Sequence, residues 1–134
     1  MPARVHSRQA AYINLRTRAD RRVSIEHQLA VAGLAATRFE ACTGADAPDS
    51  AVSRTWDSTL NARYDTKTLG HPHVAMSPGE RGCAMSHRML WEIIAARADD
   101  SPPVLILEDD ATLSAGFVPR LLRLLGAVEA TWAE

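Results

Sequence analysis

Three consecutive carboxylates follow a short apolar run in the second half of the chain. Residues 104–107 are Val-Leu-Ile-Leu, and Glu108, Asp109 and Asp110 come directly after them. Four apolar residues behind the breaker pair at 102–103 are typical of a core strand in a parallel sheet. Adjacent carboxylates repel one another unless a metal ion or cationic side chains neutralise them. Because ligands of open α/β sheets bind beyond the carboxyl ends of the strands, these acids are predicted to lie at a functional site.

The chemistry that these acids suit is the binding of a hard divalent cation. Carboxylate oxygens bind Mg²⁺ or Mn²⁺, and these ions in turn bridge phosphate oxygens. In an extended strand Glu108 and Asp110 share one face, so we predict that these two are the metal ligands. The pattern favours metal-assisted transfer from a phosphorylated donor. The alternative is a solvated acidic turn that opens the next helix, where the helix dipole favours Asp.

A second set of polar residues follows the first predicted strand. The segment from Asn14 to Arg22 offers a side-chain amide, several guanidinium groups and the N-terminus of a helix. Such donors suit a uridine or a phosphate. We therefore treat Asn14, Arg18, Arg21 and Arg22 as candidate donor-binding residues. Surface arginines more often bind no ligand, and that alternative stays open.

Strand and helix patterns alternate along the chain. The predicted elements are a strand at 11–15, a helix at about 18–32 that ends at Gly33, a strand at 37–41, a helix from Ser77 to about Arg97, a strand at 104–107 and a final helix capped by Ser114. This order indicates an α/β layered domain with a mainly parallel sheet. Three strands are few for such a sheet, so we expect a single domain over residues 1–134 that is incomplete at its C-terminus.

Two of the predicted helices begin with the spacing of a capping box. Ser77 is followed by a proline and, three residues later, by Glu80, while Thr17 and Asp20 have the same separation. The helix after Ser77 is expected to bury one apolar face. That face is predicted to carry Cys83, Ala84, His87, Leu90, Trp91 and Ile94. A lone histidine on such a face is most often a packed or hydrogen-bonded residue.

The stretch 45–76 has no helical or strand period. Its sequence is made up largely of Ser, Asp and Thr with Pro, Asn and His among them. We predict a long loop or insertion, a kind of segment that commonly serves as a lid or a binding loop.

Composition and charge exclude several classes of protein. The 134 residues are 46% hydrophobic and 23% charged, with a net charge of −1 and no block of like charge. Such a chain has no electrostatic footprint for nucleic acid. The two cysteines are far apart in sequence, which indicates a reducing compartment rather than a disulfide framework. No apolar segment is long enough for a signal peptide or a transmembrane helix.

Four short motifs are spread over nearly the whole chain. They are Tyr-Ile-Asn-Leu with a later Asp-Arg-Arg in 12–22, Phe-Glu-Ala with a later Gly in 39–44, Ser-Pro-Gly-Glu-Arg-Gly-Cys-Ala-Met-Ser-His with a later Trp in 77–91, and Leu-Glu-Asp-Asp-Ala in 107–111. Together they resemble glycosyltransferase family 25, the lipooligosaccharide and lipopolysaccharide sugar transferases. The resemblance implies a GT-A-like, Rossmann-like nucleotide-sugar fold, a UDP-sugar donor, Mn²⁺ or Mg²⁺, and inversion at the anomeric carbon.

The resemblance also suggests roles for particular residues. The acidic run is similar to the family's metal and diphosphate motif, which adds Asp109 to the candidate donor-binding residues. Ser86 and His87 resemble the Ser-His pair of the family and join the same set. Arg16 departs from the pattern, since the family commonly has an acid directly after its Asn-Leu. An inverting transfer also needs a base for the acceptor hydroxyl, and no residue of this chain is assigned to that role.

The expected function is therefore that of a hexosyltransferase. It would move a hexose, galactose by resemblance, from a UDP-sugar to a lipooligosaccharide or another glycan or glycolipid acceptor. The expected location is the cytoplasm, with a peripheral position at the inner membrane as an option. The alternative is a non-catalytic remnant that binds a nucleotide-sugar and a metal. A phosphoacceptor of the response-regulator type is disfavoured, because its acidic pair lies near the N-terminus and it needs a late lysine.

Overall fold

The computed structural model describes residues 9–47, 59, 70, 76–98 and 101–132. These residues fall into two compact units, which lie within Met1–Phe39 with Asp100–Glu134 and within Glu40–Asp99. The elements in chain order are β1 (Gln9–Asn14), α1 (Ala19–Ala32), β2 (Ala36–Glu40), α2 (Pro78–Ala95), β3 (Val104–Glu108) and α3 (Phe117–Trp132). The predicted α/β class is confirmed, with strands and helices alternating in the predicted order.

The three strands form one small parallel sheet in the order β2-β1-β3. The register of β1 and β3 places Gln9 opposite Val104 and Ile13 opposite Glu108. Residues 10–14 of the central strand β1 all lie in the interior. Central strands of parallel sheets are covered on both faces, which explains why residues 10–13 are apolar or aromatic without alternation.

The acid-ended strand β3 is less buried than its sequence predicts. Residues 104–107 are half-buried, and among the described strands β3 pairs with β1. The expected core strand therefore lies at one edge of the described sheet. A run of four apolar residues does not distinguish a central strand from an edge strand whose faces are partly covered.

The core of the first unit centres on Tyr12, Ile25 and Leu29, around which pack Leu34, Ala36, Leu107, Ala111 and Leu113. Ile25 and Leu29 are one helical turn apart, so they define the buried face of α1. Val23 and Val31 of the same helix are also apolar, but both are exposed. The helix is weakly amphipathic, so its sequence period does not select one face clearly.

The ends of α1 show one correct and one incorrect prediction. Gly33 ends the helix with a φ of 66°, in the left-handed region that glycine adopts without steric cost. The capping box predicted from Thr17 and Asp20 is absent, because Arg18 occupies the N-cap without a side-chain capping bond. The carboxylate of Asp20 accepts instead from the Arg18 guanidinium at 2.7 Å.

The capping box at the start of α2 is confirmed. The Ser77 Oγ accepts from the Glu80 backbone N–H at 3.3 Å, and Glu80 Oε2 accepts from the Ser77 backbone N–H at 2.6 Å. Proline occupies the first helical position, where its missing N–H costs nothing. This start fixes the register of the helix that carries Ser86 and His87.

The buried face of α2 differs from the prediction. Its buried residues are Gly82, Ser86 and Leu90, whereas Cys83 is exposed and Trp91 is 58% exposed. The reason is a backbone crossing: a Cβ on Gly82 would lie 2.8 Å from the Cys42 carbonyl oxygen. Ser86 Oγ accepts from the Cys42 N–H at 2.9 Å and donates to the Gly82 carbonyl at 2.6 Å. The small size of Gly82 and the hydrogen bonds of Ser86 determine which face of α2 is buried. Hydrophobic periodicity reports neither property.

The final helix begins three residues after the predicted cap. Its first residue is Phe117, and the backbone carbonyl of Ser114 accepts from the Phe117 N–H at 3.0 Å. Ser114 therefore belongs to the preceding turn. Most of the predicted 45–76 loop, including 48–58, 60–69 and 71–75, lies outside the described residues. Among the described helices, none combines the length and apolar character of a membrane span.

A buried tyrosine links the sheet to α1 through a charged pair. Tyr12 is 2% exposed, and its hydroxyl donates to the Glu26 carboxylate, which also accepts from Arg22 Nε at 2.9 Å. These contacts stabilise the ionised carboxylate, so the Tyr12 hydroxyl and then Arg22 hold the pKa of Glu26 below its usual value of 4.5. Burial raises the pKa of Tyr12.

Two of the helical glycines, Gly82 and Gly126, are predicted to respond oppositely to alanine. In an open helix position Gly→Ala stabilises by up to about 1 kcal/mol. We expect this gain for Gly126→Ala in α3, where an added Cβ meets nothing within 4 Å. Gly82→Ala should instead destabilise, since the added Cβ would clash with backbone atoms of Cys42 and Gly44. Urea unfolding of both variants measures the change in the free energy of unfolding. A Gly82→Ala variant that is more stable than the wild type would contradict the close approach of the Cys42 and Gly44 backbone to Gly82.

The pH dependence of stability should report the Glu26 contact. A carboxyl whose folded-state pKa is lowered stabilises the fold above its unfolded-state pKa and loses that contribution as the pH falls through the folded value. The free energy of unfolding should therefore drop less between about pH 6 and pH 3 in Glu26→Gln than in the wild type. Tyr12→Phe removes the largest cause of the shift and should show most of the same effect. Identical pH profiles for all three proteins would show that the contact does not form in solution.

Candidate functional site

The candidate site lies at the carboxyl ends of β1 and β3, within the first unit. Asn14 is the last residue of β1, and Asp109 directly follows β3. The parallel register brings the two together, and Asn14 Nδ2 donates to Asp109 Oδ2 at 2.7 Å. Both residues are buried, at 1% and 9% exposure. A charge-assisted bond of this length is among the stronger hydrogen bonds in proteins, so it fixes the two strand ends together.

Asn14 connects the end of β1 to three other segments of the unit. Nδ2 also donates to the Arg18 carbonyl at 3.0 Å, and Oδ1 accepts from Arg38 Nε at 3.0 Å. Arg38 Nη2 donates to the Asn14 backbone carbonyl at 3.3 Å. The contacts of Asn14 therefore reach β2, the turn before α1, and the segment after β3. This number of partners explains why a polar side chain is placed in the interior.

Arg21 neutralises two of the three consecutive acids. Its Nη1 donates to Asp109 Oδ1 at 3.2 Å and to Asp110 Oδ2 at 3.1 Å. The two oxygens of Asp109 are thus bound by different residues, Asn14 and Arg21. A cationic side chain therefore offsets the repulsion between these adjacent carboxylates.

The choice of Glu108 and Asp110 as metal ligands assumes that the acidic run is extended, and the structure does not show this. β3 ends at Glu108, and a turn follows in which the Ala111 N–H donates to the Glu108 carbonyl at 3.1 Å. The alternation of an extended strand therefore does not reach Asp110. Glu108 and Asp110 are nevertheless both exposed while Asp109 is buried. The two predicted metal ligands present accessible carboxylates, Glu108 at the last residue of β3 and Asp110 in the turn after it, and their role as ligands stays a prediction.

The other two candidates in the N-terminal segment bind acids of α1. The Arg18 guanidinium holds Asp20 at 2.7 Å, and this bond lowers the pKa of Asp20 to about 2. Arg22 binds Glu26 at 2.9 Å. Among the four predicted residues, Asn14 and Arg21 contact the acidic turn through their side chains, whereas Arg18 contributes its backbone carbonyl to Asn14.

Ser86 and His87 lie in the second unit, on α2. Ser86 is fully buried and its hydroxyl is bound to the backbone of Cys42 and Gly82. His87 is half-buried, with its ring centroid 5.8 Å from that of Trp91 and the rings tilted by 57°. Ser86 thus has a packing role in the structure, and the donor contact predicted for the pair stays a prediction.

Sequence reasoning missed two residues that shape the site. Arg38 binds Asn14 from β2, and Gln28 of α1 holds the segment after the acids, donating from Nε2 to the Ala111 carbonyl at 3.1 Å and accepting from the Leu113 N–H at 2.8 Å. An arginine inside a short strand is a usable signal, because strands are enriched in β-branched and aromatic residues and a charged side chain there departs from that pattern. Gln28 gives no comparable signal, since glutamine is an ordinary residue in an amphipathic helix.

Comparison with known proteins identifies the family. The profile described as "Glycosyltransferase family 25 (LPS biosynthesis protein)" matches residues 9–132. The chain belongs to glycosyltransferase family 25. The match extends over both units and includes Asn14, Arg21 and the acidic turn. The resemblance inferred from the four motifs is therefore confirmed.

Curated relatives show the same membership. The chain is 30% identical over 113 residues to a protein named Glycosyltransferase 25 family member from Drosophila melanogaster, a match that covers 84% of this chain and 18% of that protein. It is 42% identical over 55 residues to Inactive glycosyltransferase 25 family member 3 from Homo sapiens, covering 41% and 9%. A match to Probable inactive glycosyltransferase 25 family member 3 from Bos taurus is 33% over 82 residues, covering 61% and 13%. The chain thus spans less than a fifth of the length of these relatives.

Replacement of Asn14 is predicted to destabilise the first unit. Asn14→Ala removes donors from a buried carboxylate and an acceptor from Arg38, and should cost about 2–3 kcal/mol. Asn14→Asp places a second carboxylate against Asp109 and should cost more at neutral pH than in acid, where one group can be protonated. Chemical unfolding at the two pH values tests both variants. Wild-type stability of Asn14→Ala would show that the network does not anchor the strand ends.

Proposed function

We propose that this chain binds the diphosphate of a UDP-sugar, together with a divalent cation, at the turn after β3, and that it serves the transfer of a hexose. The observation that carries the proposal is the convergence of Asn14, Arg21, Asp109 and Asp110 at the carboxyl ends of two parallel strands. Open α/β sheets bind their ligands at that edge. Membership of glycosyltransferase family 25 supports the same function. The UDP-sugar donor and a GT-A-like fold are part of what we propose.

The cation would be Mn²⁺ or Mg²⁺, held by Glu108 and Asp110. Both residues are exposed and offer hard carboxylate oxygens, which is the donor set that these ions prefer. When bound, such a cation neutralises negative charge on the departing diphosphate. The described residues fit this role by chemistry and by accessibility.

The chain's own residues would orient and neutralise the donor. Arg21 carries a partly exposed guanidinium, with 39% of its side chain accessible, beside the acids. A planar guanidinium suits two oxygens of one phosphate. Asn14 would act indirectly, because its bond to Asp109 fixes the turn that contains Asp110. Binding groups held rigidly in this way lose little entropy when the donor arrives.

The acceptor and the cellular location form the finer part of the proposal. The family description names lipopolysaccharide biosynthesis, so we propose a lipooligosaccharide or related glycan or glycolipid acceptor. We also propose galactose as the hexose, which the motif resemblance implies, and action in the cytoplasm or at the inner membrane surface. Inversion needs a base on the acceptor hydroxyl. Within the described residues we assign no group to that role.

Binding of the nucleotide-sugar without transfer is the second candidate function. Two of the relatives are named as inactive or probably inactive members of the family. A chain of that kind would keep the Asn14–Asp109 anchor and the donor contacts while forming no product. The two candidates share the binding step and differ in turnover, so a single preparation can separate them.

The test of donor binding is a melting-temperature measurement with Mn²⁺ and UDP-galactose. A ligand that binds the native state alone stabilises it by mass action, so a roughly 100-fold excess over Kd should raise the melting temperature by roughly 5–10 °C. Asp110→Asn should remove the part that depends on Mn²⁺. Glu92→Gln, a change of the same kind in an exposed pair on α2, should leave the shift intact.

Turnover is then measured as release of UDP in the presence of a mixed pool of glycan acceptors. Acceptor-dependent release supports the transferase, whereas a melting shift without release supports the binding function. Equal shifts in the wild type and Asp110→Asn would show that the acids are not metal ligands. The absence of any shift with UDP-galactose would contradict donor binding at this site.

A further inference from the structure

Arg21 occupies the position of a counter-cation on the acidic turn. One of its nitrogens, Nη1, lies 3.2 Å from Asp109 Oδ1 and 3.1 Å from Asp110 Oδ2. We propose that Arg21 is the cation that neutralises this turn in the absence of metal. A divalent cation that binds at Asp110 would displace the Arg21 guanidinium from the Asp110 carboxylate. The guanidinium would then bind the donor diphosphate. This inference rests on the proposed function, and it assigns to Arg21 a coupling role between metal and nucleotide.

The two halves of the Arg21 contact differ in how firmly they are held. Asp109 has a side chain that is 10% exposed, and its second oxygen is fixed by Asn14 at 2.7 Å. Asp110 has a side chain that is 55% exposed. Solvent-accessible ion pairs contribute little free energy and exchange readily. The contact with Asp110 is therefore the one that can open while Asp109 keeps its place.

Charge makes the metal and the guanidinium competitors at Asp110. A divalent cation and an arginine on the same carboxylate repel each other, and the cation offers the stronger attraction to a hard oxygen. Without nucleotide, Arg21 should therefore weaken the binding of metal. Loss of this residue should tighten metal binding, which is the opposite of what a structural role for Arg21 predicts.

Nucleotide changes the competition into cooperation. A diphosphate offers the displaced guanidinium new anionic oxygens in a bidentate arrangement, so the arginine no longer has to return to Asp110. The metal and the nucleotide should then each raise the affinity for the other by the same factor, as linkage requires. Because the guanidinium carries this coupling, the factor should fall when Arg21 is neutralised.

The experiment measures Mn²⁺ affinity by electron paramagnetic resonance, with and without UDP. Without UDP, Arg21→Gln should bind Mn²⁺ about threefold or more tightly than the wild type, while Arg21→Lys should remain close to it because the charge is kept. Arg123→Gln, which removes the same charge from an exposed position on α3, is the matched control and should leave the affinity unchanged. With UDP, the gain in Mn²⁺ affinity should be smaller in Arg21→Gln than in the wild type.

The outcomes separate this inference from the proposed function. Equal or weaker Mn²⁺ binding by Arg21→Gln, alongside clear binding by the wild type, overturns the role of Arg21 and leaves the metal site standing. The absence of Mn²⁺ binding in every protein, even with UDP, overturns the metal site and this inference together. If Arg21→Gln does not fold, the Arg21 Nε–Hε resonance of the wild type is followed during titration with Mg²⁺ and UDP. A shift at saturation supports displacement, and an unchanged resonance overturns it.

Discussion

The hydrogen bond between Asn14 and Asp109 is the contact on which the rest of the first unit depends. It joins residues that are 95 positions apart in the chain, and it exists because β1 and β3 are parallel and in register. Through Asn14 the bond extends to Arg38 in β2, and through Asp109 it extends to Arg21 in α1. A buried carboxylate requires such partners, so the same contacts that stabilise the strand ends also determine which acidic groups remain available to a ligand.

The sequence predicts the parts of this arrangement that follow from local signals. The capping box at Ser77, the stop at Gly33 and the strand predicted at 104–107 depend on residues close together in the chain, and the structure contains all three, with the strand one residue longer. The false capping box at Thr17 has the right spacing, but Asp20 finds a stronger partner in the charged Arg18. Short-range patterns therefore predict an element well when no nearby charge offers the same side chain a better contact.

The parts that sequence reasoning misses depend on contacts between distant segments. Neither the Arg38 contact with Asn14 nor the crossing of Cys42 over Gly82 leaves a periodic trace, because each involves one residue at one point of approach. The same holds for the acidic run. Its chemistry is evident from composition, but the buried state of Asp109 and its bonds to Asn14 and Arg21 arise from the register of the sheet. Candidate residues can thus be named from sequence, while their individual roles require the fold.

The separation of β1 from β3 along the chain determines when each side of the central strand can pair during synthesis. During synthesis β2 leaves the ribosome soon after β1, so one side of the central strand can be paired early. The other side, where Gln9 faces Val104, must wait until the whole intervening segment has been translated. Long-range pairing of this kind slows folding and leaves a strand edge open to other chains in the meantime. The nascent chain thus holds its most buried strand half-paired while the residues between β2 and β3 are made, and the acidic turn is added only when that edge closes.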